Sequence, residues 1–241
     1  MQLNEFIQEY HRFGAVITIL DVGLRGLNRL VMARVLKAVR IEAVDPEYLK
    51  CEEPYRGEFL TESQLTELIR DHPEYEMTGS FLREAFSKGD QCYGFLDGSI
   101  LANYGWYSNR PTEINTPGVV LHFDPRYIYM YKGFTHLKYR GKRLHAISMT
   151  RALEAYLAQG FRGFVSYVEW NNFSSLKSCY RMGYADFGNL YLLRLFGKYL
   201  AWGDKSCRPY GFHLEYAPGV VEEQDPQTDQ FCAPAGQKPV A

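Results

Sequence analysis

The chain has 241 residues, enough for one large domain or a domain with extensions, and 46% of them are hydrophobic, enough to bury a sizeable core. A formal charge of −1 carries none of the global excess that marks a nucleic-acid or acidic-polymer partner, so no nucleic acid is expected. Five cysteines (Cys51, Cys92, Cys179, Cys207 and Cys232) form no C-x-x-C pair. Neither a zinc site nor a disulfide framework is therefore expected, the reading is of no metal, and a reducing cytoplasm is the simplest setting. The first twelve residues are polar and charged, unlike a signal peptide, and the apolar run 15–20 is followed by Asp21 and Arg25, far short of the about 20 apolar residues of a membrane span.

Along residues 1–36, Ile17, Leu20, Leu24, Leu27, Val31 and Val35 recur at three- and four-residue steps, the signature of one helix face, with Arg25, Arg29 and Arg34 on the remainder. Such a basic amphipathic extension, residues 13–36, suits peripheral contact with an anionic membrane, or packing on the domain or on a second copy in a homodimer. A strand is predicted over 37–44. Thr61 and Gln64 have capping-box spacing, with Leu60 and Leu65 as a hydrophobic staple, opening a helix to about Arg70; a second helix is predicted over 80–87. Residues 91–96 and 99–107 read as a hairpin about Asp97-Gly98. A further strand pair is predicted at 118–123 and 127–135, turning at Asp124-Pro125, with Tyr127, Tyr129 and Tyr131 on one face and Ile128 and Met130 on the other. A helix over 143–159 ends at Gly160, a strand covers 163–169, and a helix over 172–182 ends at Gly183. Strands at 190–195, 199–202 and 211–217 close the domain. From Pro218 the composition turns to Pro, Gln, Asp and Gly, as in a disordered tail. The order predicts an α+β fold, a mixed and mostly antiparallel sheet flanked by helices, with a βαβ crossover over 127–169. The domain proper is placed at 37–217.

The chemistry concentrates in Thr135-His136-Leu137-Lys138-Tyr139-Arg140-Gly141-Lys142-Arg143-Leu144-His145-Ala146, between a strand and a helix. A helix opening there exposes unpaired N–H groups and the positive end of the helix dipole, a site suited to a pyrophosphate. Lys138, Arg140, Lys142 and Arg143 add four cations.

This segment resembles the Arg/Gln-x-x-Gly-x-Gly/Ala motif of the GNAT superfamily of acyl-CoA N-acyltransferases. Arg140 matches the first position, whereas Arg143 and His145 stand where the small residues are usual. Val168, Asn172, Ser175 and Gly183-Tyr184 resemble the family's second signature, at the family interval between Asn172 and Gly183. The resemblance spans residues 37–217 and is strongest over 127–184. It implies acetyl-CoA or another acyl-CoA as co-substrate, held by Arg140, Gly141, Lys142, Arg143, Leu144 and His145, with Asn172 and Ser175 in the second motif. The strand before the first motif would be splayed from its neighbour, with backbone N–H groups at Phe134, Thr135 and Leu137 binding the acyl carbonyl and pantetheine arm. Fixed donors there would stabilise the oxyanion of a tetrahedral intermediate as a small-molecule amine attacks directly.

Proton handling is less defined. Many family members place a Tyr four residues before the Gly of the second motif; that position is Cys179, with Tyr180 beside it. His136, inside the cofactor motif, and His122 and Glu169, at predicted strand ends, are candidate bases. An acceptor pocket is expected from residues 59–90, Trp106, and the closing strands near Trp202 and Tyr210, without the carboxylate cluster a polycationic acceptor would need. The competing reading is a GNAT-fold acyl-CoA-binding or regulatory module with reduced catalysis, given Arg143, His145 and Cys179.

Overall fold

The computed structural model describes residues 31–51, 54–70 and 72–217. The first 30 residues and those from 218 onward, with the expected amphipathic face at Ile17, Leu20, Leu24 and Leu27 and the expected tail, lie outside the described residues. The helical pattern does not continue through its last two positions: Val31 and Val35 belong to strand β1 (Val31–Ile41), which is paired on both edges. Its β-branched Val31, Val35, Val39 and Ile41 suit a strand inside a sheet, and tertiary pairing overrides the 3.6-residue spacing.

After β1 come β2 (Arg56–Leu60) and two helices, α1 (Glu62–Ile69) and α2 (Gly79–Lys88). The capping box at α1 forms as expected: Gln64 donates its N–H to Thr61 Oγ1, and the Thr61 N–H donates to Gln64 Oε1 at 2.8 Å. Leu60 and Leu65 are buried in one cluster, as a staple requires. Strands β3 (Gln91–Asp97) and β4 (Ile100–Ser108) make the expected hairpin, but Asp97 pairs with Ile100, so the turn residues are Gly98-Ser99. The slip of one residue puts the glycine, at φ +61°, in the first turn position, as a II′ turn prefers.

The remaining elements are β5 (Thr112–Glu113), β6 (Val119–His122), β7 (Ile128–Thr135), α3 (Leu144–Ala158), β8 (Phe164–Glu169), α4 (Phe173–Arg181), β9 (Ala185–Leu195), β10 (Lys198–Gly203) and β11 (His213–Tyr216). Eight strands form one sheet in the order β10-β9-β1-β8-β7-β4-β3-β2, antiparallel except for β7 and β8. The predicted pairing of 118–123 with 127–135 does not occur: β6 leaves the main sheet and joins β5 and β11 in a small second sheet.

These pieces make three layers. On one face of the main sheet, α3 packs on β3, β4 and β7 through Ala146, Ile147, Met149, Ala152, Leu153 and Tyr156. On the other face, the small sheet covers β1, β8 and β9, while α1 and α2 cover β3 and β4 around Trp106 and Tyr104. The α3 helix ends as expected: Gly160 is left-handed and donates to the Leu157 carbonyl, and the Phe161 N–H reaches back to Tyr156, a Schellman closure. No described helix is long and apolar enough to cross a membrane.

Candidate functional site

The β7–α3–β8 crossover builds a split in the sheet. Parallel pairing of β7 with β8 is confined to Ile128 with Phe164 and Tyr129 with Val165. Beyond these the two strands part, and Ser166 Oγ donates across the divergence to the Met130 carbonyl at 2.8 Å. The far edge of β7 stays paired to β4 as far as Thr135, so its near edge carries free backbone groups.

Which groups face the split follows from the ladder. The His136 N–H donates to the Ala102 carbonyl on the β4 side at 3.0 Å. In an antiparallel pair successive residues turn their backbone groups to opposite edges, so Phe134 faces β4 while Thr135 and Gly133 face the split. The Thr135 carbonyl accordingly meets Arg140 Nε, at 3.4 Å. The expectation for Phe134 is corrected on this point. Its N–H belongs to the ladder and its ring stacks on Tyr104 at 5.5 Å, whereas Gly133, absent from the sequence expectation, presents a donor.

A bulge shapes the same strand. Trp106 pairs with Lys132 and Tyr107 with Met130, so Tyr131 is an extra residue. Tyr127, Tyr129 and Tyr131 share the small-sheet face as expected; past the bulge Lys132 and Phe134 continue on that face, while Gly133 and Thr135 turn toward α3. Lys132 Nζ lies 5.7 Å from the Phe81 ring centre, and burial lowers its pKa. Under Gly133 sits the half-buried His145: a β-carbon on Gly133 would stand 3.1 Å from its Cε1 and 2.9 Å from Met130 Cε. Burial pulls the His145 pKa down, so the neutral imidazole is favoured.

At the open end of the split lies the start of α3. The helix has no side-chain cap and no acidic residue in its first turn, and its first intrahelical donor is Ile147, to Arg143. The N–H groups of Leu144, His145 and Ala146 are thus left for an anion. Gly141 takes φ +81°, and Arg143 itself is left-handed at φ +61°, holding the conformation a glycine would adopt there. Its guanidinium lies 4.9 Å over Tyr48, leaving the backbone face clear. Lys142 reaches Tyr55 Oη at 2.9 Å, and Lys138 lies over the Tyr139 ring. Leu137, just past β7, and Trp170 and Phe173, just past β8, are exposed apolar side chains at the same end.

The second motif serves α4. Asn172 Oδ1 accepts the Ser175 N–H at 3.2 Å and the Ser174 hydroxyl, making it the N-cap, and Gly183 is left-handed beyond the C-terminus. The candidate proton carriers separate. Tyr180 is exposed and donates to Asp186 at 2.9 Å, and Asp186 also holds Lys37 at 2.9 Å. This cluster lies over β1 and β9, across β8 from the split, so Tyr180 does not point into it. Cys179 instead packs inward on the buried cluster that Met130 and Val168 of the two diverging strands also join, and burial, aided by the Asp186 charge, pushes its pKa up to about 11. His136 caps the turn after β7, its Nδ1 accepting the Lys138 N–H at 3.2 Å. Glu169 is bound to the Arg34 guanidinium, which also contacts Thr116 and the Asn115 carbonyl. His122 is in the small sheet.

The expected acceptor pocket does not assemble as drawn. Trp106 is fully buried with its indole N–H on Met77 Sδ, Tyr210 packs on Phe187, and the exposed Trp202 stacks on Tyr191 in the edge strand β10, four places from β7. Of two hollows, one of about 220 Å³ by Gln91, Tyr107 and Ile128 lies where β7 begins, and one of about 420 Å³ by Leu60, Phe86 and Asp90 lies beside the start of β3. The first is thus a strand length, on the order of 20 Å, from Thr135.

No family model matches the sequence, and no curated protein matches it. Similar solved structures include several acetyltransferases. A GCN5-related N-acetyltransferase-like protein from Streptococcus suis is 12% identical over 72% of this chain and 66% of its own length, with TM-score 0.49. An acetyltransferase from the GNAT family from Colwellia psychrerythraea is 13% identical over 73% and 57%, with TM-score 0.44. An aminoglycoside N-acetyltransferase in complex with CoA is 14% identical over 54% and 90%, with TM-score 0.41. The chain thus spans slightly under two thirds of the Streptococcus suis protein.

Proposed function

We propose that this chain is an acyl-CoA-dependent N-acyltransferase whose acyl thioester lies in the β7–β8 split. One observation carries the reading: the only parallel strand pair among the described residues separates after Tyr129 and Val165, and the uncapped start of α3 lies at the end where it opens. The residues present fit the co-substrate. The free N–H groups of Leu144 to Ala146, with Arg140 and Lys142, suit its pyrophosphate, and the exposed Leu137, Trp170 and Phe173 suit an apolar arm. Bound there, an acyl-CoA supplies an activated carbonyl. The chain's part is to fix that carbonyl on the N–H groups of Gly133 or Thr135, and to hold proton carriers near it. Cys179, kept as the thiol, is the candidate donor on the α3 side of the sheet.

Since α3 closes one face of the split, the amine enters from the other, past Lys132. A cation there, partly offset by the Glu76 charge, disfavours polycationic acceptors. Calorimetry with CoA and a thiol-release assay with acetyl-CoA and a panel of amines test the reading. Replacing Arg140 and Lys142 together by Ala is expected to weaken CoA binding about tenfold or more, since a hydrogen bond to a charged group is worth roughly 1.5–3 kcal/mol. Absence of CoA binding would sink the proposal. CoA binding without thiol release on any amine would favour the second reading, a binding module, which the engagement of Tyr180 with Asp186 supports.

A further inference from the structure

We propose that His122, His213 and Glu215 form a binding site for a transition-metal dication, with zinc as its type, that clips β6 to β11 in the small sheet. The inference is independent of the acyl-transfer reading and reverses the expectation of no metal, which rested on cysteine spacing alone.

The backbone brings the three together. His213 is the direct cross-strand partner of His122, and Glu215, two residues on, shares the His213 face. The two imidazoles stack with centroids 4.9 Å apart, and His122 Nε2 lies 3.1 Å from Glu215 Oε2. Among the described residues these are the one group of three such side chains whose ligand atoms fall within 4.8 Å of each other.

At His213 the protonation pattern is the one ligation needs, whereas at His122 the Nε2–H that faces the Glu215 carboxylate must give way to the metal. His213 Nδ1 is 2.8 Å from the Gly211 carbonyl, which can only accept. Nδ1 therefore carries the proton, and Nε2 keeps a free lone pair. A backbone carbonyl fixing the remote nitrogen is the support that metal-bound histidines ordinarily have. Two imidazoles and a carboxylate offer nitrogen and oxygen donors with one negative charge, and leave a fourth tetrahedral position to water. Bond lengths of about 2.0–2.1 Å put tetrahedral ligand atoms roughly 3.3–3.4 Å apart, so the widest pair must close by about 1.5 Å at most. The side chains of His213 and Glu215 are exposed and free to make that adjustment, while the paired strands hold the backbone. The stacked rings must tilt toward each other as they ligate.

Titrating the full chain with Zn²⁺ by calorimetry, and following its thermal unfolding with and without Zn²⁺, tests the site. One equivalent is expected to bind and to raise the melting temperature. Each of His122→Gln, His213→Gln and Glu215→Gln should weaken binding by about tenfold or more, the range in which even supporting residues of metal sites act. All three substitutions lie at the surface, and circular dichroism identifies any variant that has lost the fold. No saturable one-site binding, or the same binding in the His122→Gln/His213→Gln double variant, overturns the proposal; the latter would assign the metal to the thiols instead.

Discussion

The imidazole of His145 lies against the backbone of Gly133, and burial lowers its pKa. Its folded pKa is then below the unfolded value of about 6.5. Above that pH both states hold the neutral ring and the native state keeps its full stability. As the pH falls the unfolded chain takes up the proton first, so stability drops until the folded pKa is passed. Urea denaturation between pH 7.5 and 5 should therefore show a steeper loss for the natural chain than for His145→Gln. Parallel profiles would mean that His145 does not carry the dependence. From the sequence, His145 was legible only as a bulky residue at a small-residue position; that its ring fills the space left by Gly133 depends on a residue twelve positions away.

At the scale of the element, α3 starts on a left-handed Arg143. An L-residue with a β-carbon pays about 1–2 kcal/mol in that conformation, and glycine does not. Arg143→Gly and Arg143→Ala both remove the contact with Tyr48, so their difference isolates the backbone. The Gly variant should be the more stable by ~1 kcal/mol in chemical denaturation, the reverse of the order in a helix interior, where Ala is favoured by about 0.5–1 kcal/mol. Equal stabilities would remove the argument that the loop keeps a glycine's conformation. Elements of this kind were the most legible part of the chain. The capping box at Thr61, the closing glycines at 160 and 183 and the alternation of Tyr127, Tyr129 and Tyr131 are local signals, and all stand in the structure. Local signals also misled. The helical spacing at Val31 and Val35 yields to strand pairing, and the direction of Tyr180 is set by its partner Asp186, which its place beside Cys179 does not reveal.

The main sheet is covered on one face by two separate bodies, the small sheet and the α1–α2 pair, and Tyr131 packs against both. Its hydroxyl donates to the buried Asp90 at 2.8 Å, and Asp90 pairs with Lys88 at 3.0 Å. Tyr131→Phe removes one hydrogen bond to a charged group and is expected to cost about 2 kcal/mol. Unfolding followed by tryptophan fluorescence and by circular dichroism should still coincide. Two separated transitions would show that the bodies unfold independently. None of this joining was legible, because it rests on which strands are neighbours. The departure of β6 into a second sheet, pairing 119–122 with 213–216, leaves no trace in local spacing.

The bulge at Tyr131 has a stereochemical consequence. A planar carbonyl held by the N–H of Gly133 or Thr135 would have two unlike sides, imidazole and thiol toward α3, ammonium and phenols toward the small sheet. Were Tyr131 instead taken into a regular ladder, the alternation would shift by one residue, and glycine and lysine would exchange faces. On the acyl-transfer reading, the bulge between Tyr129 and Thr135 would thus set from which side of the trigonal carbon a nucleophile arrives, more than any one side chain does.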